Sequence, residues 1–221
     1  SPAIALVTTS GTTRATLRRS TAGSWASVSS DQQAGQSIYA AGLSSGRFVA
    51  WRTGGAYYSD NNGTTWTATA STINSTGGSR SGDARGAVVV FGAGQTSGVT
   101  YVSTDSGVTY AARATPSGAA GGAAIVQTGP NAGRIWAPNQ TAATASSYSG
   151  DLGVTWSNGA AAGIGVSSGR AMLSSEDFQY LGGNIGPGAS SPKLAVFQNG
   201  AALVRSLTLT LAANAVVASL A

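Results

Sequence analysis

Ser103-Thr104-Asp105-Ser106-Gly107-Val108-Thr109-Tyr110 decides the reading of this chain, because the pattern occurs three times. Ser59-Asp60-Asn61-Asn62-Gly63-Thr64-Thr65-Trp66 precedes it and Ser149-Gly150-Asp151-Leu152-Gly153-Val154-Thr155-Trp156 follows, all fitting Ser-x-Asp/Asn-x-Gly-x-Thr-aromatic. The closing aromatics lie 44 and then 46 residues apart, a period that belongs to an array of four-stranded units. Within each copy the Gly can take positive φ in a turn, the Asp or Asn side chain can accept from nearby backbone amides, and the Thr hydroxyl can add a further bond. The Trp or Tyr is sized to fill the gap between neighbouring units, where burying a ring is worth on the order of a few kcal/mol. Asn61, Asp105, Asp151 and the aromatics Trp66, Tyr110 and Trp156 therefore read as structural.

Working outward, each copy follows a hairpin. Arg47 to Arg52 runs through a Thr53-Gly54-Gly55 turn into Ala56 to Ser59; Ala87 to Phe91 is followed by Val99 to Ser103; Arg134 to Pro138 is followed by Ser146 to Ser149. Alternation and turn chemistry make these antiparallel pairs. Two degenerate copies, ending near Trp25 and Leu203, extend the series to positions 25, 66, 110, 156 and 203. Five units tile the chain, with expected limits of 1–28 plus 215–221, 29–72, 73–116, 117–160 and 161–214 in a single domain. The first unit lacks an innermost strand, and Ala215 to Leu220 is a spare one. Pairing the two chain ends would close the ring and remove an open sheet edge.

The repeated motif resembles the Asp-box, or bacterial neuraminidase repeat, of β-propellers. The resemblance implies an all-β propeller with the boxes at the periphery, on the face away from the ligand site, and the five units make it a five-bladed propeller of four-stranded antiparallel blades. It implies little about function, since the box occurs on sialidases, other glycosidases, sortilin-type receptors, assembly factors and adhesins.

Composition narrows the chemistry. Thirty-two Gly and only 9% charged residues describe short strands and tight turns rather than helices. With no Cys and no His, disulfides, thiolate metal sites and the commonest general base are excluded, leaving oxygen ligands as the one route to a metal; no metal or cofactor is expected. The net charge of +5 comes from eleven Arg and one Lys against seven acids. The Arg are scattered, with no run beyond Arg18-Arg19, so no nucleic-acid surface is predicted. Ser1-Pro2-Ala3-Ile4 has no basic leader and no run reaches membrane-spanning length, so a soluble chain without a cleavable signal is expected.

Apart from the two motif aspartates Asp105 and Asp151, the carboxylates are Asp31, Asp60, Asp83, Glu176 and Asp177. A glycosidase needs two acids, or a Tyr nucleophile with a Glu partner, across the scissile bond. Glu176 is the sole Glu. Gly133-Arg134-Ile135-Trp136-Ala137-Pro138 resembles the sialidase arginine motif only loosely, and Arg134 falls where Arg47 falls in its own unit. Catalysis is therefore not expected. The candidate ligand-binding residues lie in two polar stretches read as loops on the face opposite the boxes: Asp31, Gln32 and Gln33 between units one and two, and Arg80, Asp83 and Arg85 between units two and three. Their side chains suit sugar hydroxyls or a partner's carboxylates; the alternative is plain solvation. Trp51 and Trp136, read as equivalent, are expected to pack between units rather than stack on sugars. The functional expectation is a non-catalytic structural or adhesive module, a virion component such as a phage tail or surface protein that binds other subunits or a host surface. A lectin-like propeller is the alternative, and a sialidase-like glycosidase a further one.

Overall fold

The computed structural model describes residues 3–8, 15–21, 24–32, 39–43, 45–52, 54–74, 82–93, 98–115, 122–137, 145–161, 171–175, 178–184, 192–198 and 202–208. Within them all regular structure is antiparallel β-sheet. The first sheet holds β1 (Ala3–Thr8), β2 (Ala15–Thr21) and β3 (Ser24–Gln32). The second holds β4 (Tyr39–Gly42), β5 (Phe48–Arg52), β6 (Gly55–Ser59) and β7 (Thr67–Ala68). The third holds β8 (Gly82–Arg85), β9 (Val88–Gly92), β10 (Val99–Ser103) and β11 (Ala111–Ala114). The fourth holds β12 (Ala124–Ile125), β13 (Ile135–Ala137), β14 (Ala145–Ser149) and β15 (Ser157–Ala161). The last holds β16 (Ala171–Ser175), β17 (Phe178–Asn184), β18 (Pro192–Gln198) and β19 (Ala202–Thr208).

Each sheet is a meander, its strands paired in chain order. The first strands of the four-stranded sheets approach one another, β8 lying against β4, β12 and β16, and β1 lying against β4. Chemistry explains why the sheets stack. Val88-Val89-Val90-Phe91 is apolar on both faces because its sheet is covered on both sides. Val89 and Phe91 join Val49, Trp51, Ile73 and Tyr101 in the seam with the second sheet, while Val90 joins Val102, Ile125 and Ile135 in the seam with the fourth. Trp51 stacks on Phe91 with centroids 5.4 Å apart and planes 5° apart.

Several expectations change. Asp31 and Gln32 lie on β3, not in a loop. Backbone pairing is indifferent to side-chain polarity, and two register irregularities let β2 carry its partner on until Ala15 faces Gln32. Gly82 to Arg85 is likewise strand, paired through Gly82 with Phe91 and Arg85 with Val88. β3 and β15 pass the expected unit limits at 28 and 160. Trp51 and Trp136 are not equivalent: Trp136 pairs with Tyr148, one residue before Ser149, whereas it is Val49 that pairs with Tyr58, one residue before Ser59. Gln33, Arg80, Glu176, Asp177 and the closing segment 215–221 lie outside the described residues.

Gly107 is buried at φ 85, and a Cβ there would lie 2.6 Å from Val49 Cγ1 across the seam. Left-handed strain and overpacking together predict that Gly107→Ala costs roughly 2–4 kcal/mol. Adding Val49→Ala relieves the clash, so in urea titrations the double variant is expected to lose less than the sum of the two single losses. Strict additivity would refute the contact.

Candidate functional site

The three repeated turns are built by one set of bonds. The serine hydroxyl accepts from the glycine amide at 2.8 Å in each, from Gly63 to Ser59, Gly107 to Ser103 and Gly153 to Ser149. That hydroxyl donates onward to Asn61, Asp105 or Asp151 Oδ1 at 3.0, 2.8 and 2.8 Å. The same Oδ1 accepts the Thr amide at 2.9, 2.9 and 2.8 Å. In the two aspartate turns the Thr hydroxyl donates to Oδ2 at 2.6 Å. In the first turn the direction reverses, Asn61 Nδ2 donating to Thr65 Oγ1 at 2.8 Å. Asn and Asp thus satisfy the same geometry because the hydroxyl both donates and accepts.

A feature hidden in the sequence pattern is that two consecutive residues are left-handed. Asn62, Ser106 and Leu152, at φ 55, 61 and 60, precede the positive-φ glycines. Asn is enriched in this region and Leu is disfavoured there.

The second and third turns reach back to the preceding sheet. Tyr110, 8% exposed, packs edge-on to Phe91 in the seam containing Val49 and Trp51. Burial, with the nearby Asp105, pushes its phenol well above the usual range. The backbone of the same turn is held across the seam: Val108 O accepts from Thr69 Oγ1 at 2.6 Å and from Ala70 N at 3.1 Å. Tyr110 N donates to Ser71 Oγ at 2.7 Å. Trp156 packs against the cluster of Val90, Val102, Ile125 and Ile135.

Asp83 and Arg85 are ties between sheets. Asp83 Oδ2 accepts from Ile125 N at 3.0 Å and Gln127 Nε2 at 3.1 Å, while Oδ1 accepts from Ala84 N at 2.8 Å. Burial raises this carboxyl's pKa, the bonds from Ile125, Ala84 and Gln127 offsetting part of the effect. Arg85 Nε donates to Gln127 O at 2.8 Å. Arg85 also stands on the same side as the repeated turns, next to the Gly86-Ala87 turn whose Ala87 O accepts from Ser106 N at 2.9 Å. Of the remaining candidates, Asp31 and Gln32 are placed only by their strand.

Where the first and second repeated turns meet, an open cleft of about 440 Å³ is lined by Ser45, Arg47, Asp60, Asp105, Ser106 and Val108. Arg47 organises it, gripping Asp60 through Nε at 2.6 Å and Nη2 at 2.9 Å, reaching Ser106 O at 3.3 Å and lying 4.4 Å over the Tyr58 ring. Exposed as it is, such a pair contributes about 0.2–1 kcal/mol. Arg134 lies 4.8 Å over Tyr148 at the matching place in the fourth sheet, so both arginines serve the repeat. Reading Arg47 only as the counterpart of Arg134 concealed the cleft; the signal was Asp60, a carboxylate inside a turn that does not need one.

Chemically this face is committed. Asp60 is paired, and Asp83, Asp105 and Asp151 accept structural bonds. Among the described residues no three His, Cys, Asp or Glu groups gather as metal ligands. Trp51 and Trp136 are 1% and 0% exposed, which removes them as sugar platforms.

No protein-family model matches the chain, and no curated protein matches it in sequence. Among solved structures it is similar to an ancestral GH74 enzyme, with TM-score 0.62 and 13% identity over 95% of this chain and 30% of that one. It is similar to the GH74 enzyme of Niastella koreensis, with TM-score 0.55 and 18% identity over 86% of this chain and 28% of that one. It is similar also to YCF48 bound to D1 peptide, with TM-score 0.56 and 16% identity over 89% of this chain and 61% of that one. The chain spans less than two thirds of each of these proteins, which are β-propellers. The likeness is one of fold: all-β and propeller-like, with four-stranded antiparallel sheets.

Asp151 is held down to about 2 by the Thr155 hydroxyl and amide and by Ser149. For Asp105 burial works upward, but bonds from Thr109 and Ser103 outweigh it and the pKa is lowered. An unfolded Asp ionises near 3.9, so the stability Asp151 provides is complete above about pH 4 and is lost as pH falls through about 2. Since Asn61 fills the same place in the first turn, Asp151→Asn is expected to fold at pH 7 and to show a shallower loss of urea stability between pH 4 and 2. An unaltered acid limb would remove Asp151 as its source.

Proposed function

We propose that the chain is a non-catalytic five-bladed propeller of the Asp-box kind, a structural or adhesive module that binds other subunits in a larger assembly such as a virion. The observation that carries this reading is the commitment of Asp60, Asp83, Asp105 and Asp151 to turns, seams and one ion pair, which leaves none of these four facing another acid for hydrolysis. YCF48, on a fold of the same kind, is bound to a peptide, which supports a protein partner. The likeness to GH74 glycoside hydrolases favours a second reading, a glycosidase using Glu176, which lies outside the described residues.

The proposed function is tested by copurification with a particle together with a fluorogenic glycoside panel. Association without turnover is expected. A monomer with no affinity for any particle component or cell surface would overturn the assembly reading, and turnover abolished by Glu176→Gln would establish the glycosidase.

The proposed ring has β1, β2 and β3 as its three-stranded first blade, completed by residues 215–220 as the missing inner strand. Deleting 215–221 is expected to lower the melting temperature sharply or cause aggregation. A truncated chain that melts as the intact one does would rule out closure by this segment.

A further inference from the structure

The third seam-facing turn, Ser149 to Trp156, departs from its two counterparts in ways that do not serve the fold. Its first left-handed position holds Leu152, 37% exposed, where the other turns have Asn62 and Ser106. Next to it Val154 is 62% exposed, whereas the matching Val108 is half-buried with its carbonyl bound by the preceding sheet. Leu152 and Val154 are the large exposed apolar side chains among the described residues. A strained apolar residue displayed on a turn that accepts Asn elsewhere is the kind of outlier from which a function is argued.

Beneath the same turn two donors lack acceptors. Trp66 Nε1 donates to Gly63 O at 3.1 Å, but the equivalent Trp156 Nε1 is buried without a partner, as is the Tyr110 hydroxyl of the second turn. Arg113 Nε is buried without a partner as well. The two side chains meet at Gly153, where an added Cβ would lie 2.9 Å from Arg113 Cγ and 3.3 Å from Trp156 Cζ2. Arg47, by contrast, spends its Nε on a carboxylate of its own chain. Both nitrogens are out of a partner's reach, and the rest of the guanidinium of Arg113, a half-buried residue, has no carboxylate acceptor among the described residues. Asp151 does not supply it, its oxygens taking bonds from Thr155 and Ser149.

We propose that this turn, with Arg113 of β11, is a docking surface for a partner polypeptide segment that carries a carboxylate beside an apolar side chain. The carboxylate pairs with the Arg113 guanidinium, and the apolar side chain covers Leu152 and Val154. Charge complementarity selects an acidic over a basic segment, since Arg113 has no ion pair among the described residues and the chain carries +5 overall. The proposal rests on the reading of the chain as an assembly module and names the chemistry of its partner.

The test titrates labelled Gly-Ser-Leu-Asp-Leu-Gly-Ser, Gly-Ser-Leu-Lys-Leu-Gly-Ser and Gly-Ser-Ser-Asp-Ser-Gly-Ser peptides into the full chain, read by anisotropy and by the indole N–H resonances. The Leu-Asp peptide is expected to bind at least tenfold more tightly than the other two and to shift Trp156 and not Trp66. Leu152→Asn, which restores the residue type of the first turn, and Arg113→Gln, which keeps the stem under Gly153, are each expected to weaken it tenfold or more with melting unchanged or raised. No binding at millimolar peptide, equal binding of the lysine peptide, or affinity unaffected by both variants would overturn the proposal. So would self-association in sedimentation that Leu152→Asn abolishes, which would make the occupant a second copy. Each of these results is independent of particle copurification, so the surface and the assembly role fail separately.

Discussion

The bond from a glycine amide to a serine hydroxyl, 2.8 Å in three turns 44 and 46 residues apart, is the constraint from which the inter-sheet packing follows. It folds the chain so tightly that two successive residues turn left-handed, and it delivers the next aromatic onto the sheet before. Without the buried hydroxyl the glycine amide would be an unpaired donor in the interior. With it, one side chain serves as acceptor for the turn and donor to the residue that fixes the turn's other half. The acidic or amide side chain is therefore an architectural part, and its ionised state is a consequence of the donors around it.

The seams share this frame and differ in what lies over them. Between the second and third sheets the rim is polar, Arg47 bridging Asp60 and the backbone of Ser106. Between the third and fourth, Val88 replaces the arginine and Leu152 and Val154 stand at the turn, with Arg113 beneath. Nearer the centre Asp83 and Arg85 fasten the third sheet to the fourth through Ile125 and Gln127. A repeat that spends its hydrogen bonds internally leaves its variable positions open to a separate set of demands.

The array and its strands were legible because turn chemistry and period are local properties: Gly107 and Asp105 announce themselves without knowledge of anything distant. Placement of polar residues was not. Asp83 and Arg85 read as a loop because their neighbours are Gly, Ser and Arg, and only the approach of β12 reveals strand with its acceptors and donors used. Asp31 fell to the same error on β3. Trp51 and Trp136 looked equivalent by distance from the hairpin, while register counted from the turn serine separates them by two positions. The cleft around Arg47 needed two turns from different sheets, which no single stretch displays.

The second and third turns also have a direction, since each clasps the sheet made before it. A nascent chain leaving the ribosome thus covers its penultimate sheet as the next turn forms, through contacts such as Gly107 against Val49 and Thr69 Oγ1 on Val108 O. A flank covered in this way no longer adds to the sticky surface offered to other nascent chains.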